Sequence, residues 1–381
     1  MGILIVDDNQ VNLFVIENIL KRAGYKDYLS FTSANEMFTY LHNNNNSASP
    51  QMSVDIILMD IMMPEVDGIE ACRTLQTIPH LKDIPVIFVT ALEDSNKVAE
   101  ALDAGGLDYV MKPINKTELL ARIRVVLRLK QEKDKNKKQA EKIKNQLDLS
   151  QQVQNSLLSE PITEDKFTVK ASYIPAYKLA GDMYYWYKVD DTRYAVILLD
   201  MMGHGISASL VCMFISSVLR DSIRGCADPE FVISELNRWM HALNLRNQQI
   251  PYYFTAIYLV IDTNEKSMEY VNAGHPAGFA FVDEDEVVEL SNRTCALGFF
   301  ENVDVKKTKI TYKKSVQIML YTDGVVETME KVGLNQYPQF IKSASKLWDL
   351  PNIPEPINLV LPADMQQQAS DDMCVVMIQA R

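Results

Sequence analysis

From residue 1 to residue 128, short apolar runs alternate with segments in which apolar residues recur every three or four positions. The runs are typical of buried strands, and the periodic segments are typical of amphipathic helices. The alternation predicts a doubly wound α/β domain with a parallel sheet, whose functional groups lie at the carboxyl ends of the strands. The predicted strands are GILIV, DIILMD, PVIFV and DYVMKP, and the predicted helices are Gln10 to Ala23, Asp67 to Gln76, Lys97 to Ala104 and a last one from Lys116.

Residues 129–160 show no strand pattern and no glycine, and a proline follows them. They predict one continuous helix with a weak coiled-coil seam, because only some of the heptad positions are apolar. Acids are interleaved with its lysines, which favours a solvated face over a nucleic-acid patch. We expect this helix to join two domains and to pair two chains as a homodimer. The seam positions are Ala140, Ile143, Leu147, Ser150, Gln154 and Leu157.

From residue 161 to residue 381, strands rich in β-branched and aromatic residues dominate. Two helical patterns, Ser207 to Arg224 and Pro229 to Leu243, lie between them. Many antiparallel strands with helices set apart predict an α+β layered β-sandwich. The predicted strands are FTVKASYIP, DMYYWYKV, YAVILLD, YFTAIYLVID, SMEYVNAG, GFAFV, VQIMLYTDG and MCVVMIQA. We therefore expect three parts, 1–128, 129–160 and 161–381.

Charge and composition narrow the classes of function. The net charge of −12 and the pI near 5.0 argue against nucleic-acid binding, which needs a basic face. The five cysteines are scattered and form no CxxC pair, so neither a disulfide framework nor a zinc site is indicated. The first residues lack a signal-peptide pattern, and we expect the run SLVCMFISSVL to be too short to span a bilayer. These features predict a cytoplasmic protein without membrane contact.

Predicted strands of the first domain end in polar side chains that suit phosphate chemistry. Because the carboxyl ends of parallel strands share one edge, three of the acids would repel one another unless a hard cation such as Mg²⁺ lay among them. The central Asp60 would then act as a nucleophile toward a phosphoryl group. Lys112 would neutralise the phosphoryl oxygens, and the Thr90 hydroxyl would bond one of them. The side chains concerned are Asp7, Asp8, Asp60, Thr90 and Lys112.

This constellation resembles the response-regulator receiver domain over roughly the first third of the chain. The shared motifs are the acidic pair Asp7-Asp8, the stretch MDIMMPEVDG, the triplet VTA and the stretch DYVMKP. The resemblance implies that Asp60 accepts phosphate from a histidine kinase, and that Tyr109 swings inward when Thr90 moves toward the phosphoryl group. The ligands that it implies for Mg²⁺ are Asp8, Asp60 and the Met62 carbonyl, assisted by Asp7.

The second domain carries its own acids, most of them next to strongly apolar strands. They stand in AGDMYYW, LLDMMGHG, LYTDGV and ASDDMCVVMI, and they are Asp182, Asp200, Asp323 and Asp371, the last followed by Asp372. The motifs of cysteine phosphatases, nucleotide-binding loops and serine hydrolases (Cys-x5-Arg, P-loop, GxSxG) are missing from this half of the sequence. What remains is an all-oxygen acidic cluster, which suits Mg²⁺ or Mn²⁺ rather than zinc.

Such a cluster suits the hydrolysis of a phosphate monoester, a reaction that enzymes accelerate by up to ~10²¹-fold. Two divalent ions about 3.5 to 4 Å apart supply much of this by lowering the pKa of a shared water and by clamping the phosphoryl oxygens. A carboxylate must bridge the two ions. Asp200 is the candidate, because it ends a buried strand and is followed by glycines that let a backbone carbonyl turn toward a metal.

The order GD, D-x-x-GHG, NAGHP, TDG and DD resembles the metal-dependent PP2C-type serine/threonine phosphatases from residue 151 to residue 381. The bacterial branch that regulates sigma factors through anti-anti-sigma proteins is the most similar. The resemblance implies that Asp200 bridges two Mn²⁺ or Mg²⁺ ions, with the Met201 carbonyl as a further ligand. It also implies that Asp323 and Asp371 complete the first metal site, and that Asp182 serves the second metal directly or through water.

Two residues of this domain depart from the family pattern, and one segment has no assigned role. The family usually has a second aspartate where this chain has Tyr185, a change that alters either the ligands of the second metal or only the surface. Met201 replaces a frequent valine, which is a mild change because only its carbonyl is invoked. The NAGH segment, Asn272 to His275, belongs near the site, and we assign it no catalytic role.

Together the two domains predict a response regulator whose output is a protein phosphoserine or phosphothreonine phosphatase. Phosphorylation of Asp60 would shift the receiver, and the linker helix would pass the change to the helices that flank Asp200. The expected substrate is a phosphorylated anti-anti-sigma protein, whose dephosphorylation activates a stress sigma factor. The alternative is a catalytically weak scaffold that sequesters a partner, although four converging carboxylates have no use in a scaffold. A DNA-binding regulator is disfavoured, since the chain lacks a helix-turn-helix segment and basic charge.

Overall fold

The computed structural model of the chain describes residues 2–45, 52–91, 95–246, 251–283, 286–291, 294–333, 350–353 and 355–381. The chain divides into two compact units, Met1–Ile143 and Lys144–Arg381. Each unit has its own hydrophobic cores.

The N-terminal unit is built on five strands, β1 (Gly2–Val6), β2 (Tyr28–Phe31), β3 (Val54–Asp60), β4 (Val86–Thr90) and β5 (Asp108–Met111). They form a parallel sheet in the order β2-β1-β3-β4-β5. The helices are α1 (Gln10–Arg22), α2 (Ala34–Asn45), α3 (Gly68–Thr77), α4 (Ser95–Asp103) and α5 (Lys116–Asn155). The predicted doubly wound α/β fold is confirmed.

Both faces of this sheet are covered, which explains the continuous apolar runs in its strands. Along β1, Ile3 and Ile5 belong to a core shared with α1 and α5, whereas Leu4 and Val6 belong to a core shared with α2 and α3. The sequence pattern missed β2 and α2. The missed strand is short, lies at the sheet edge and has no fully buried residue, so it shows no buried apolar run.

α5 is one helix of 40 residues that links the two units and contains most of the predicted linker. It ends at Asn155 rather than near Glu160, and a turn follows it. Apolar side chains on its second half, including those of Ile143, Leu149 and Val153, are exposed. Gln154 was predicted to lie on the coiled-coil seam, but its side chain is buried within the C-terminal unit. It is therefore not free to pair with a second helix.

The C-terminal unit contains eleven described strands. They are β6 (Ile162–Thr163), β7 (Phe167–Ile174), β8 (Met183–Lys188), β9 (Arg193–Met201), β10 (Phe254–Asp262), β11 (Ser267–Ala273), β12 (Gly278–Val282), β13 (Glu286–Leu290), β14 (Thr308–Thr311), β15 (Val316–Tyr321) and β16 (Met373–Ala380). One sheet has the order β14-β11-β10-β9-β8 and the other β13-β12-β15-β16-β7-β6. Residues of both sheets share one core, so the predicted layered β-sandwich is confirmed.

Helices cover the outer face of each sheet. α6 (Ile206–Gly225) and α7 (Pro229–Arg246) pack on the first sheet. The second sheet is covered by α8 (Asp323–Lys331), by two 3₁₀ helices (Leu350–Asn352 and Pro356–Leu359) and by α9 (Ala363–Gln366). The sequence pattern missed α8. It also missed the strands β6, β13 and β14, and the residues of these three strands are mostly half-exposed or exposed.

The apolar run SLVCMFISSVL, which was expected to be too short to span a bilayer, lies in α6. This helix is the one helix in the described part of the chain that is long and apolar enough, by length and composition, to cross a membrane. The expectation that this run is too short is therefore wrong. Its buried residues, among them Val211, Ile215 and Leu219, pack into a core of the C-terminal unit. α6 thus packs as the core helix of a globular domain does.

Candidate functional site

Each unit holds one cluster of carboxylates. In the N-terminal unit, carboxylate oxygens of Asp7, Asp8 and Asp60 lie within 4.8 Å of one another. Asp60 is the last residue of β3, and the acidic pair follows β1, the neighbouring strand. Asp7 and Asp60 are buried, and Asp8 is exposed. A set of three carboxylates this close fits a hard divalent cation such as Mg²⁺.

Lys112 supplies a positive charge to this cluster. Its ammonium group donates to Asp7 Oδ2 at 2.9 Å and to Asp60 Oδ2 at 2.7 Å. Burial raises the pKa of the Asp60 carboxyl, and the hydrogen bond and charge of Lys112 oppose this rise. Burial alone would lower the pKa of Lys112, but its hydrogen bonds to Asp60 and Asp7 raise it. Lys112 therefore remains a cation beside the predicted nucleophile.

The other predicted residues of the N-terminal unit differ in burial and contacts. Thr90, the last residue of β4, is fully buried. Met62 donates its backbone N–H to Asp60 Oδ1 at 3.4 Å, and its side chain is exposed. Tyr109 is half-buried, and the guanidinium carbon of Arg122 lies 5.6 Å from the centre of its ring.

The structure adds Asn12, which sequence reasoning missed. Its side-chain amide donates to Asp7 Oδ1 at 3.0 Å, and the backbone N–H of Asn9 donates to the same oxygen at 2.9 Å. With Lys112 on Oδ2, both oxygens of Asp7 are held. The one sequence feature that could have indicated Asn12 is its position about one helical turn after the acidic pair. Neighbouring residues of α1 have a similar spacing, so this feature does not single out Asn12.

In the C-terminal unit the four predicted metal-binding aspartates lie near strand ends of both sheets. Asp182 directly precedes β8, and Asp200 lies near the end of β9 in the same sheet. Asp323 is the first residue of α8, shortly after β15, and Asp371 shortly precedes β16 in the other sheet. The cluster therefore lies where ends of the two sheets meet.

Two glycines let the ligand-bearing segments approach each other. A Cβ atom on Gly181 would lie 2.8 Å from the Gly203 carbonyl oxygen and 3.1 Å from that of Met201. A Cβ atom on Gly324 would lie 2.1 Å from the carbonyl oxygen of Asp372. Side chains at either position would crowd the facing backbone, and glycine avoids this. The GD and TDG motifs thus reflect backbone contact between the segments that carry the acids.

Asp372 has a structural role that the sequence did not separate from that of Asp371. Its Oδ1 accepts the backbone N–H of Ala176 at 2.8 Å, and its Oδ2 accepts that of Gly181 at 2.7 Å. Both of its oxygens therefore hold the loop that leads to Asp182. Asp371 accepts the N–H of Asp372 through one oxygen, Oδ1, at 2.8 Å. Of the two acids, Asp371 therefore stays the predicted metal ligand.

Like charges and burial shift the titration of these acids. Burial, together with the charge and side-chain contact of Asp323, raises the pKa of Asp200 to about 8. Burial and the charges of Asp200 and Asp372 raise the pKa of Asp182 well above its usual range. Asp182 Oδ2 is buried and has no hydrogen-bond partner among the residues that the structure describes. A buried carboxylate oxygen without a donor is costly, and a divalent cation would satisfy it.

Among the C-terminal acids, Asp200 is the one that contacts two others. Among the described residues, only the cluster of the N-terminal unit brings three carboxylates within 4.8 Å of one another. In the C-terminal unit, Asp200 contacts both Asp323 and Asp182. A carboxylate in contact with two others is placed to be shared by a pair of ions.

We expect Mn²⁺ or Mg²⁺ to raise the thermal midpoint of the C-terminal unit, because a cation would replace repulsion among its acids by attraction. A ligand present at ~100 times its Kd adds about 2.7 kcal/mol, or roughly 5–10 °C for a unit of this size. Thermal unfolding of the full chain in EDTA and in Mn²⁺ measures the shift. Asp200→Asn should remove most of it. Asp191→Asn, at an exposed turn position before β9, should keep it; equal shifts in both variants would contradict binding at Asp200.

Tyr185, which stands where the family usually has an aspartate, lies in a cation–π contact. The guanidinium carbon of Arg220 lies 4.8 Å from the centre of its ring. Arg220, on α6, also donates to the Leu157 carbonyl at 2.6 Å. Tyr185 thus belongs to a contact that joins β8, α6 and the segment after α5.

The NAGH segment is held by hydrogen bonds. Asn272 accepts the backbone N–H of His275 and donates to the Leu290 carbonyl, both at 2.9 Å. The Nδ1 atom of His275 lies 2.8 Å from Thr255 Oγ1, and Thr255 pairs with Asp200 across β9 and β10. Burial lowers the pKa of His275 to about 3. The imidazole is therefore neutral near pH 7, and it contacts the residue that pairs with Asp200.

The end of α5 is fastened to the loop that carries Asp182. Gln154 Nε2 donates to the Ala180 carbonyl at 2.7 Å, and Gln154 Oε1 accepts the Ala180 N–H at 3.1 Å. One turn and a half earlier on the helix, Asp148 forms an ion pair with Lys178 at 2.6 Å. Gln154 is buried, so the amide pair is shielded from water.

Comparison with known families finds matches in both units. The family model described as Stage II sporulation protein E (SpoIIE) matches residues 190–381, just over half of the chain. The model described as Response regulator receiver domain matches residues 3–124. The first match includes Asp200, Asp323 and Asp371 and begins after Asp182.

Curated proteins and a solved structure are similar to parts of the chain. Phosphoserine phosphatase RsbP of Bacillus subtilis is 35% identical over 48% of this chain and 46% of its own length. Phosphoserine phosphatase RsbU of the same species is 27% identical over 53% of this chain and 59% of its own length. The chain thus spans about half the length of the curated relatives it matches. The PP2C phosphatase domain of Bacillus subtilis SpoIIE, solved with a fragment of its regulatory domain, aligns over 56% of this chain and 62% of that chain, at 20% identity and a TM-score of 0.48.

Proposed function

The chain belongs to the Stage II sporulation protein E (SpoIIE) family, and from this premise we infer that its C-terminal unit is a metal-dependent phosphatase of phosphoserine or phosphothreonine in proteins. It joins a receiver domain to a PP2C domain of the class that regulates sigma factors. The observation that carries the proposal is the convergence of acids from two sheets around Asp200, with the buried, unpartnered Oδ2 of Asp182 among the described residues.

Two Mn²⁺ or Mg²⁺ ions in this cluster would lower the pKa of a shared water and clamp the phosphoryl oxygens. Asp200 would bridge both ions, since it contacts Asp323 and Asp182. The Met201 carbonyl would add a ligand, Asp323 and Asp371 would complete one ion site, and Asp182 would serve the other. In the reaction, the water oxygen bonds to phosphorus as the bond from phosphorus to the serine or threonine oxygen breaks. The attacking water gives up a proton, and the departing oxygen takes up a proton to become the serine or threonine hydroxyl.

In the receiver, Asp60 would take the phosphoryl group from a phosphohistidine of a histidine kinase. A bond forms between the Asp60 carboxylate and phosphorus while the bond from phosphorus to nitrogen breaks. Lys112, which already contacts Asp60 at 2.7 Å, would stabilise the charge of the product. Thr90 and Tyr109 would respond to the new group. The proposed Mg²⁺ ligands are Asp8, Asp60 and the Met62 carbonyl, assisted by Asp7.

We propose a phosphorylated anti-anti-sigma protein as the substrate, and its dephosphorylation as a step that activates a stress sigma factor. The similarity to RsbP and RsbU, both named phosphoserine phosphatases, supports the reaction class. We also propose a cytoplasmic homodimer, paired through the linker helix, where Ile143, Leu149 and Val153 are exposed. The net charge of −12 supports the absence of nucleic acid from its partners.

Control of the phosphatase would pass through α5. Gln154 holds both backbone groups of Ala180, two residues before Asp182. Arg220 connects α6, the helix after Asp200, to the segment that follows α5. A shift of the helix end would therefore move the loop that carries Asp182 and the helix that follows Asp200. We propose that the phosphorylated receiver gives the higher phosphatase activity.

Gln154→Ala should lower kcat about tenfold. The buried N–H and carbonyl of Ala180 would lose their hydrogen-bond partners, and each buried group left without a partner costs about 1–3 kcal/mol. The loop that carries Asp182 would then be held less firmly. Mn²⁺-dependent hydrolysis of p-nitrophenyl phosphate measures the change. Gln152→Ala alters an exposed glutamine of the same helix turn and should keep the wild-type rate. Equal rates in the two variants would rule out the role of Gln154.

The proposed function is tested by Mn²⁺-dependent hydrolysis of p-nitrophenyl phosphate and of a phosphoserine anti-anti-sigma protein. Tyr185, in the place of a family aspartate, is the observation that keeps the scaffold alternative open. A folded, metal-loaded chain that is inert on both substrates, even with a phosphodonor, would favour the scaffold.

A further inference from the structure

An exposed aromatic patch adjoins the segment that follows Asp200. Phe299 and Phe300 are 47% and 60% exposed. The ring of Phe299 stacks on Tyr253 at a centroid distance of 4.3 Å and lies 6.4 Å from that of Phe300. Met202, two residues after Asp200, is 36% exposed and donates its backbone N–H to the Tyr253 carbonyl at 2.9 Å. The aromatic patch consists of Met202, Tyr253, Phe299 and Phe300.

The backbone beneath the aromatic patch is braced by two asparagines of α7. Asn237 is buried; its amide donates to the carbonyls of Phe300 and Glu301 at 3.0 and 3.2 Å, and its oxygen accepts the Gly298 N–H at 2.9 Å. Asn244 donates to the Gly298 carbonyl at 3.0 Å. The exposed rings therefore lie on a turn that is already ordered. Binding of a partner to them would lose little backbone entropy in this turn.

The acids lie deeper in the unit than the aromatic patch. Asp182 is 3% exposed, and Asp200 is half-buried. A phosphoserine that reaches them must extend its side chain inward, while the residues around it in a protein substrate stay at the surface. A small phosphate ester has no such flanking residues. The aromatic patch, joined to the Asp200 segment through Met202, is the exposed apolar surface that such residues would meet.

We propose that the aromatic patch docks the protein substrate, by contacting an apolar surface beside its phosphoserine. This proposal rests on the proposed phosphatase function and adds the recognition element to it. Aromatic side chains on rigid backbone are typical anchors of protein interfaces. The direct link from the aromatic patch to the segment after Asp200 selects the substrate as the occupant, because only the substrate must lie against that segment in every turnover.

The test compares the full chain with its Phe299→Ala, Phe300→Ala double variant on a phosphoserine anti-anti-sigma protein and on p-nitrophenyl phosphate. We expect kcat/KM for the protein to fall roughly 10- to 100-fold, mainly through KM, as for interface anchors. Hydrolysis of p-nitrophenyl phosphate should not change. Phe300→Leu should keep most of the protein activity. Phe231→Ala removes a comparably exposed phenylalanine that lines a separate groove between α6 and α7, and it should keep both activities.

Equal losses on both substrates would overturn the proposal, because the aromatic patch would then support the fold of the site. No loss on either substrate would overturn it as well. If the double variant lost activity on both substrates and also had a lower particle mass by light scattering, the aromatic patch would instead be a contact between two copies of the chain. Failure of the proposed phosphatase function would give a different result. Wild type would then be inert on p-nitrophenyl phosphate, or Asp200→Asn would be fully active. In either case the docking proposal would also be wrong.

Discussion

Asp200→Asn should lower Mn²⁺-dependent phosphatase activity by roughly 10³-fold or more. A neutral amide cannot bridge two cations as a carboxylate does, and Asp200 is the acid that contacts both Asp323 and Asp182. The variant should nevertheless fold. Burial and the charge of Asp323 raise the pKa of Asp200 to about 8, so its ionised form is disfavoured without a cation. In EDTA the variant should therefore unfold at the same temperature as wild type or a higher one.

The measurement is the rate of hydrolysis over a Mn²⁺ series, with p-nitrophenyl phosphate and with a phosphoserine protein. Asp191→Asn makes the same change of charge at an exposed turn and should behave as wild type. If Asp200→Asn kept the metal-dependent rate while Asp191→Asn behaved normally, the bridging role of Asp200 would be wrong. A loss accompanied by a lower unfolding temperature in EDTA would indicate damage to the fold instead.

Asp60→Asn should abolish phosphorylation of the chain by acetyl phosphate and, with it, the response of the phosphatase. In wild type we expect the phosphodonor to raise the rate on a phosphoserine protein about tenfold, within the usual range of coupling between sites. The reason is that Asp60 lies beside Asp7 and Lys112, where a phosphoryl group would meet a half-buried cation. The intact mass of the protein reports phosphorylation, and the rate on the phosphoserine protein reports the response.

Asp103→Asn, at the exposed last residue of α4, is the matched control and should keep both phosphorylation and response. If wild type gains a phosphoryl group by mass and its rate does not change, the receiver does not control the phosphatase. Phosphorylation that survives in Asp60→Asn would place the acceptor elsewhere. Neither outcome would affect the assignment of Asp200, because the two clusters lie in different units.

Most of the strands that the pattern predicted are largely buried, although β5 and β8 were predicted and are mostly half-buried. β1 is buried at every residue and β16 likewise, and both were readable as apolar runs. β2, β6 and β14 escaped because their residues are half-exposed or exposed, so no run of apolar residues marks them. α8 escaped for another reason. It begins at Asp323, within the predicted strand VQIMLYTDG, so its first residues were assigned to the end of β15.

By itself the sequence determined the fold class of both units and the chemistry of the donors, since buried runs and strand-end acids are local properties. Only the tertiary structure decided that Asp372 holds the Gly181 loop, across 191 residues. It also decided that the buried side chain of Gln154 is hydrogen-bonded to Ala180, 26 residues away, rather than lying on a coiled-coil seam. Hydrogen bonds between distant segments depend on how the sheets and helices pack, and the spacing of residues along a chain does not record that packing.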